Sequence, residues 1–211
     1  MTNFDVIVPL GESCNITFLL KSSNIKQATG LFEYFVTKNL YAIFNIIDNI
    51  ANNIDNIDTS IVIDSKEDDN IFLCDKQIWG NHYKYDNYLE IFKRRAIRLY
   101  NIIKHNKKLL FLRFVRGEHL YYDKKESIDN THNYTKEDID KFISILQKIN
   151  PDTSEMKLLV IHHKPNINYI EHPFIIYKYY EDAVVNDDDM KNGNSIVSLF
   201  MNWLKEVGYN I

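Results

Sequence analysis

The sequence predicts a layered α/β fold, with a central, mostly parallel sheet flanked by helices in a single domain over residues 1–211. Three observations carry this expectation. Leu109-Leu110-Phe111-Leu112 and Leu158-Leu159-Val160-Ile161 are apolar at consecutive positions, as strands covered on both faces are. Stretches with apolar residues at helical spacing lie between the strand-like runs, which favours parallel neighbours joined by helices. With 211 residues, 45% of them hydrophobic, the chain suits one sizeable core better than two.

Taken in order, Phe4 to Leu10 is rich in strand formers and leads into a helix from Asn15 to Ser23, with Ile16, Leu19 and Leu20 on one face. Thr29-Gly30 interrupts the pattern before the aromatic segment Leu31-Phe32-Glu33-Tyr34-Phe35. Leu40, Ile43, Phe44, Ile47 and Ile50 then recur at helical spacing in a helix predicted to run to Ile54. Ser60 to Ile63 and Ile71 to Cys74 are short apolar runs around the polar turn Lys66 to Asn70, a candidate hairpin. Tyr88 to His105 carries Leu89, Phe92, Ala96, Leu99 and Ile103 at helical spacing and is the clearest helix.

Lys108 to Val115 reads as a buried strand, and Thr135-Lys136-Glu137-Asp138 resembles a capping box that opens a helix to Ile149, closed by Pro151. Lys157 to His162 repeats the strand pattern and Pro173 to Tyr179 repeats it more weakly. Ser195 to Val207 closes the chain as a helix.

Composition narrows the function classes. The net charge of −4 gives no global field for a polyanion, so nucleic acid is not an expected partner, and Lys93-Arg94-Arg95 and Lys104 to Lys108 read as solvated helix faces. The two cysteines, Cys14 and Cys74, show no metal or disulfide spacing, which points to a reducing compartment and a cytoplasmic protein, in host cytoplasm if the source is viral. Neither an export signal nor a membrane span is read from the chain. With six glycines the phosphate-binding motifs G-x-G-x-x-G and G-x-x-x-x-G-K-[ST] are both absent, so no nucleotide cofactor is expected. Abundant Asn, Ile, Lys and Tyr reflect an AT-rich coding bias, which discounts the 14 tyrosines as functional signals.

The most informative residue is Cys14, in Ile7-Val8-Pro9-Leu10-Gly11-Glu12-Ser13-Cys14-Asn15, where a strand stops at a glycine and a helix pattern begins after the thiol. At a helix start the macrodipole and free backbone N–H groups can lower a thiol from about 8.5 toward roughly 7. The competing expectation is a buried, inert cysteine.

In parallel sheets ligands bind beyond the carboxyl ends of strands, and three strands here end in polar residues. These are Glu12-Ser13-Cys14, then Arg113, Arg116, Glu118 and His119, then His162-His163. His162 and His163 point to opposite faces of a strand and make poor joint ligands, so no metal site is expected. His82, in Gly80-Asn81-His82-Tyr83 ahead of the basic helix, is a candidate base for the thiol.

The order Leu10-Gly11-Glu12-Ser13-Cys14, a short helix, His82, the basic run Lys93 to Arg98 and Phe111-Leu112-Arg113 resembles a family of bacterial and viral domains described as papain-like cysteine peptidases. The likeness spans roughly Val6 to Val115. The family's Pro-Phe-Asp-Trp segment corresponds to Leu31-Phe32-Glu33-Tyr34, where only Phe32 is kept. The resemblance implies Cys14 as nucleophile and His82 as base, with an orienting residue for which Glu33, Asp86 and Glu118 all qualify by type. It also implies an α+β fold with a mostly antiparallel sheet, against the parallel α/β arrangement that the whole-chain pattern predicts.

Three functions follow as expectations. The first is a cysteine hydrolase or acyl transferase acting on a protein, peptide or glycan-linked group. The second is a non-catalytic binding protein using the aromatic segments Leu31 to Phe35 and Tyr177 to Tyr180. The third is a transferase that holds an anionic donor through Arg113 and Arg116.

Overall fold

The computed structural model describes residues 4–11, 15–25, 30–33, 35–37, 40–60, 62–65, 70–73, 78–80, 87–115, 134–162, 169–180 and 195–209. The elements run β1 (Val6–Pro9), α1 (Asn15–Ser22), β2 (Val36–Thr37), α2 (Leu40–Asn52), a 3-10 turn (Ile54–Asn56), β3 (Val62–Ser65), β4 (Asn70–Leu73) and β5 (Ile78–Gly80). They continue through α3 (Tyr88–His105), β6 (Leu109–Val115), α4 (Lys136–Ile149), β7 (Lys157–His162), β8 (Ile175–Tyr179) and α5 (Ser195–Glu206).

The main sheet is all parallel, in the order β1-β6-β7-β8. All seven residues of β6 are buried, which is why its sequence is continuously apolar apart from one arginine. Alternation divides the neighbouring side chains between two faces. Val8, Leu109, Phe111, Val115, Leu158 and Val160 pack against α2, α3 and α4. Ile7, Leu110, Leu112, Phe114, Leu159 and Ile161 pack against α1 and α5. The fold is therefore α/β and layered, with helices on both faces of a parallel sheet, as the sequence pattern predicts. It is not the α+β arrangement with a mostly antiparallel sheet that the family resemblance implies, because the strands of the main sheet pair in parallel.

Two contacts show how the helices are held. Phe142 of α4 stacks on Phe44 of α2 at 4.1 Å between ring centroids and meets Phe111 of β6 edge-on at 5.4 Å. Thr135 caps α4 as the sequence indicates: its hydroxyl accepts from the Asp138 N–H at 3.2 Å, and the Asp138 carboxylate accepts from the Thr135 N–H at 2.8 Å.

A second, antiparallel sheet of order β2-β5-β4-β3 contains the expected hairpin, with Val62 paired to Leu73 and Ser65 to Asn70. Its strands β2 and β5 are not recognised in the sequence. With two and three residues, they are too short for an alternation of period two to register. Among the described residues, no helix is long and apolar enough to cross a membrane.

Candidate functional site

The carboxyl edge of the main sheet begins where β1 ends. Pro9 has no N–H, yet pairing with β6 continues one residue further, because the Leu10 N–H donates to the Leu112 carbonyl at 2.8 Å. Gly11 then turns with φ +76°, a conformation that side chains rarely adopt. The turn is also crowded: a Cβ on Gly11 would lie 2.9 Å from Thr37 Cγ2 and 3.2 Å from the Phe32 carbonyl oxygen. Glycine is required here on two counts, and α1 opens at Asn15, with Cys14 the residue before it in sequence.

Arg113 closes this edge from β6. Its side chain is 1% exposed. Nη2 donates to the Thr37 carbonyl at 2.9 Å, and Nη1 donates to the Thr37 hydroxyl and, at 3.4 Å, to the Leu10 carbonyl. A buried guanidinium is tolerated where its N–H groups find oxygen acceptors, and here the acceptors are the exit of β1 and the strand β2. Arg113 thus joins the two sheets at the point where the chain leaves β1.

Glu33 bears on the same exit from the other sequence segment. Its carboxylate accepts from the Gly30 N–H at 2.5 Å, and a Cβ on Gly30 would sit 3.3 Å from both Glu33 Oε1 and Pro9 Cγ. Burial raises the Glu33 pKa above its usual range, and the Gly30 N–H and the positive charges of Arg95, Lys21 and Arg98 oppose this only in part. Arg95 also donates to the Gly30 carbonyl at 3.4 Å. In the basic run of α3, Lys93 and Arg94 are exposed as expected, whereas Arg95 turns toward this loop.

Leu31, Phe32 and Phe35 are core residues, none more than 3% exposed. The aromatic segment expected as a binding surface instead packs inward, so its described aromatics are not available as interface anchors. Tyr180, in the second such segment, is buried as well, while Tyr179 stands 42% exposed.

A second polar group lies further along the same edge. The register places Arg113, Val160 and Tyr177 in one row across β6, β7 and β8, and Val115, His162 and Tyr179 two residues further along the same strands. His162 is 1% exposed, and its Nε2 shares a hydrogen bond with the Tyr169 hydroxyl at 3.1 Å. The Tyr177 hydroxyl accepts from the Ile170 N–H at 3.2 Å and pairs with the Tyr134 hydroxyl at 3.1 Å. Burial and the adjoining Tyr177 phenol hold Tyr134 in its neutral form far above the usual phenol range.

Of the residues singled out in the sequence, Arg113 reaches the strand exit at Leu10, and Glu33 holds Gly30, which lies beside Pro9. Cys14, His82, Asp86, Arg116, Glu118, His119 and His163 lie outside the described residues. Tyr177 and Tyr179 belong to the aromatic segment singled out in the sequence, but their place around His162 follows from strand register, which is not written in local spacing, and Tyr169 carried no sequence signal. Among the described residues, no group of three or more His, Cys, Asp or Glu side chains could hold a metal ion.

No family model matches this chain, and neither a curated protein nor a solved structure matches it.

Proposed function

We propose that the protein is a cysteine-dependent hydrolase or acyl transferase of the papain-like peptidase kind, with Cys14 as nucleophile and His82 as general base. The observation that carries this reading is the convergence of Arg113 and Thr37 on Leu10 and Gly11, in the segment that leads in sequence to Cys14. A nucleophile needs a fixed backbone around it, and this strand exit is fixed by a buried guanidinium and by a glycine that no other residue can replace without strain.

In the proposed reaction His82 takes the thiol proton and the Cys14 sulfur attacks an acyl carbonyl. The amine or alcohol then leaves with that proton, and water or a second acceptor releases the thioester. Backbone N–H groups at the start of α1 would favour the oxyanion. Arg113 serves as a positioning residue, since its donors already face Thr37 and Leu10; Glu33, Asp86 and Glu118 remain the candidates for orienting His82, and Arg116 for substrate contact. The substrates are protein, peptide or glycan-linked acyl groups in the cytoplasm, without a nucleic-acid partner, a cofactor or a metal.

The test is turnover of activated esters and peptide amides by the wild-type chain and by Cys14→Ala and Cys74→Ala. Loss of activity with Cys14→Ala alone supports the reading. Equal activity in the wild type and Cys14→Ala overturns it.

A further inference from the structure

Three tyrosines surround His162 at the carboxyl ends of β7 and β8. The ring centroids of Tyr169, Tyr179 and Tyr177 lie 5.4, 5.5 and 6.3 Å from that of His162, and Tyr169 meets Tyr177 edge-on at 4.9 Å. These are the separations of favourable edge-to-face aromatic pairs. The group is asymmetric in exposure: His162 is 1% exposed, while Tyr169, which caps it, is 53% exposed. A buried imidazole nitrogen is thus covered by a side chain that faces outward over half its surface.

We propose that the cradle formed by His162, Tyr177 and Tyr179 is a binding subsite for an aromatic hydroxyl, a phenol, and that Tyr169 occupies it as an internal ligand. Three features support this. The cradle stands at the carboxyl ends of parallel strands, where open α/β sheets place their ligands. The Tyr177 hydroxyl is engaged by the Ile170 N–H and by Tyr134, so the hydroxyl of an incoming ring is selected by His162 Nε2, the atom that now holds the Tyr169 hydroxyl. The ring of Tyr169 shows the pose: edge-on to both His162 and Tyr177, with its oxygen 3.1 Å from Nε2.

An internal ligand lowers the apparent affinity for an external one by the fraction of molecules in which it is in place. Weakening the internal ligand without opening a hole therefore strengthens external binding. This inference does not depend on the thiol chemistry proposed for Cys14, and either can fail alone.

The experiment is a titration of the full chain with p-cresol, toluene and N-acetyltyrosinamide, followed by NMR of the tyrosine and histidine rings, on wild type and Tyr169→Phe. Wild type is expected to bind p-cresol in preference to toluene. Tyr169→Phe, which removes the capping hydroxyl and keeps the ring, is expected to raise the p-cresol affinity roughly fivefold, the worth of one net hydrogen bond. Binding of N-acetyltyrosinamide as strongly as p-cresol identifies a peptide tyrosine as the source, and binding of p-cresol alone identifies a small phenol. No binding to wild type, equal binding of toluene, or an unchanged affinity in Tyr169→Phe overturns the proposal. So does a Tyr169→Ala chain that binds p-cresol when wild type does not, since that would be a hole made by the substitution.

Discussion

Arg113 holds Thr37 twice, through Nη1 on its hydroxyl and Nη2 on its carbonyl, across 76 residues of sequence. The pair links the central strand of the parallel sheet to the first strand of the antiparallel one, and the same guanidinium reaches the Leu10 carbonyl at the exit of β1. One buried cation thus ties that exit to the second sheet.

Replacing Arg113 by Met is expected to cost about 3 kcal/mol, because it leaves the Thr37 and Leu10 carbonyls buried without their charged donor. Urea unfolding checks this. Arg113→Lys keeps the charge but lacks the two-pronged geometry, and about 2 kcal/mol of loss is expected. A change within about 0.5 kcal/mol for Arg113→Met would mean that the clip contributes nothing.

Gly11→Ala meets two separate penalties, the φ of +76° and the approach of Thr37 Cγ2 to 2.9 Å. A loss of about 2 kcal/mol or more is expected. Adding Thr37→Ser removes the methyl group while keeping the hydroxyl for Arg113, so the double variant should regain the part due to that methyl and retain the part due to the backbone φ and the Phe32 carbonyl. Thermal unfolding of the two variants separates the terms. No recovery in the double variant would place the whole cost in the backbone.

Glu33 makes stability depend on pH in a defined direction. Burial raises its folded pKa above the ordinary 4.5, so the folded chain binds the proton more tightly than the unfolded one. The stabilisation from this group is complete below 4.5 and is lost as pH rises through the raised folded value. Relative to wild type, Glu33→Gln is therefore expected to become more stable as pH rises from 4 toward neutrality, approximately following that titration. Denaturant unfolding at a series of pH values measures it, and a difference that is flat with pH would show that the Arg95, Lys21 and Arg98 charges fully offset the burial.

Much of the main sheet and its helices was legible because each element is long enough to show its period. Tyr88 to His105 repeats its apolar residues over five turns, and Thr135 with Asp138 announces the start of α4 in adjacent letters. The antiparallel sheet was half legible: the hairpin of β3 and β4 has a polar turn to mark it, whereas Val36–Thr37 pairs with β5 through partners distant in sequence. The site followed the same division. Arg113 stood out as a polar residue near a strand end and suggested a ligand, but its bond to Thr37 is a tertiary contact that no local spacing encodes. Conversely, Tyr169 was obscured by a composition rich in tyrosine, and Tyr177, though part of a named aromatic segment, is set near His162 only by the strand register, while the connection to β8 brings in Tyr169.

The central claim is a thiolate at Cys14, and the rate of iodoacetamide alkylation as a function of pH, resolved by mass spectrometry, tests it most directly, with Cys74 as the comparison in the same molecule. Cys14 lies between a strand exit and a helix start, whereas Cys74 follows the apolar run Ile71-Phe72-Leu73, whose Leu73 is buried. The account predicts that Cys14 reacts faster than Cys74 below pH about 7, and that His82→Ala shifts the Cys14 profile to higher pH. Equal rates for the two cysteines below that pH, or a Cys14 profile unmoved by His82→Ala, would contradict the assignment of Cys14 and His82 as nucleophile and base.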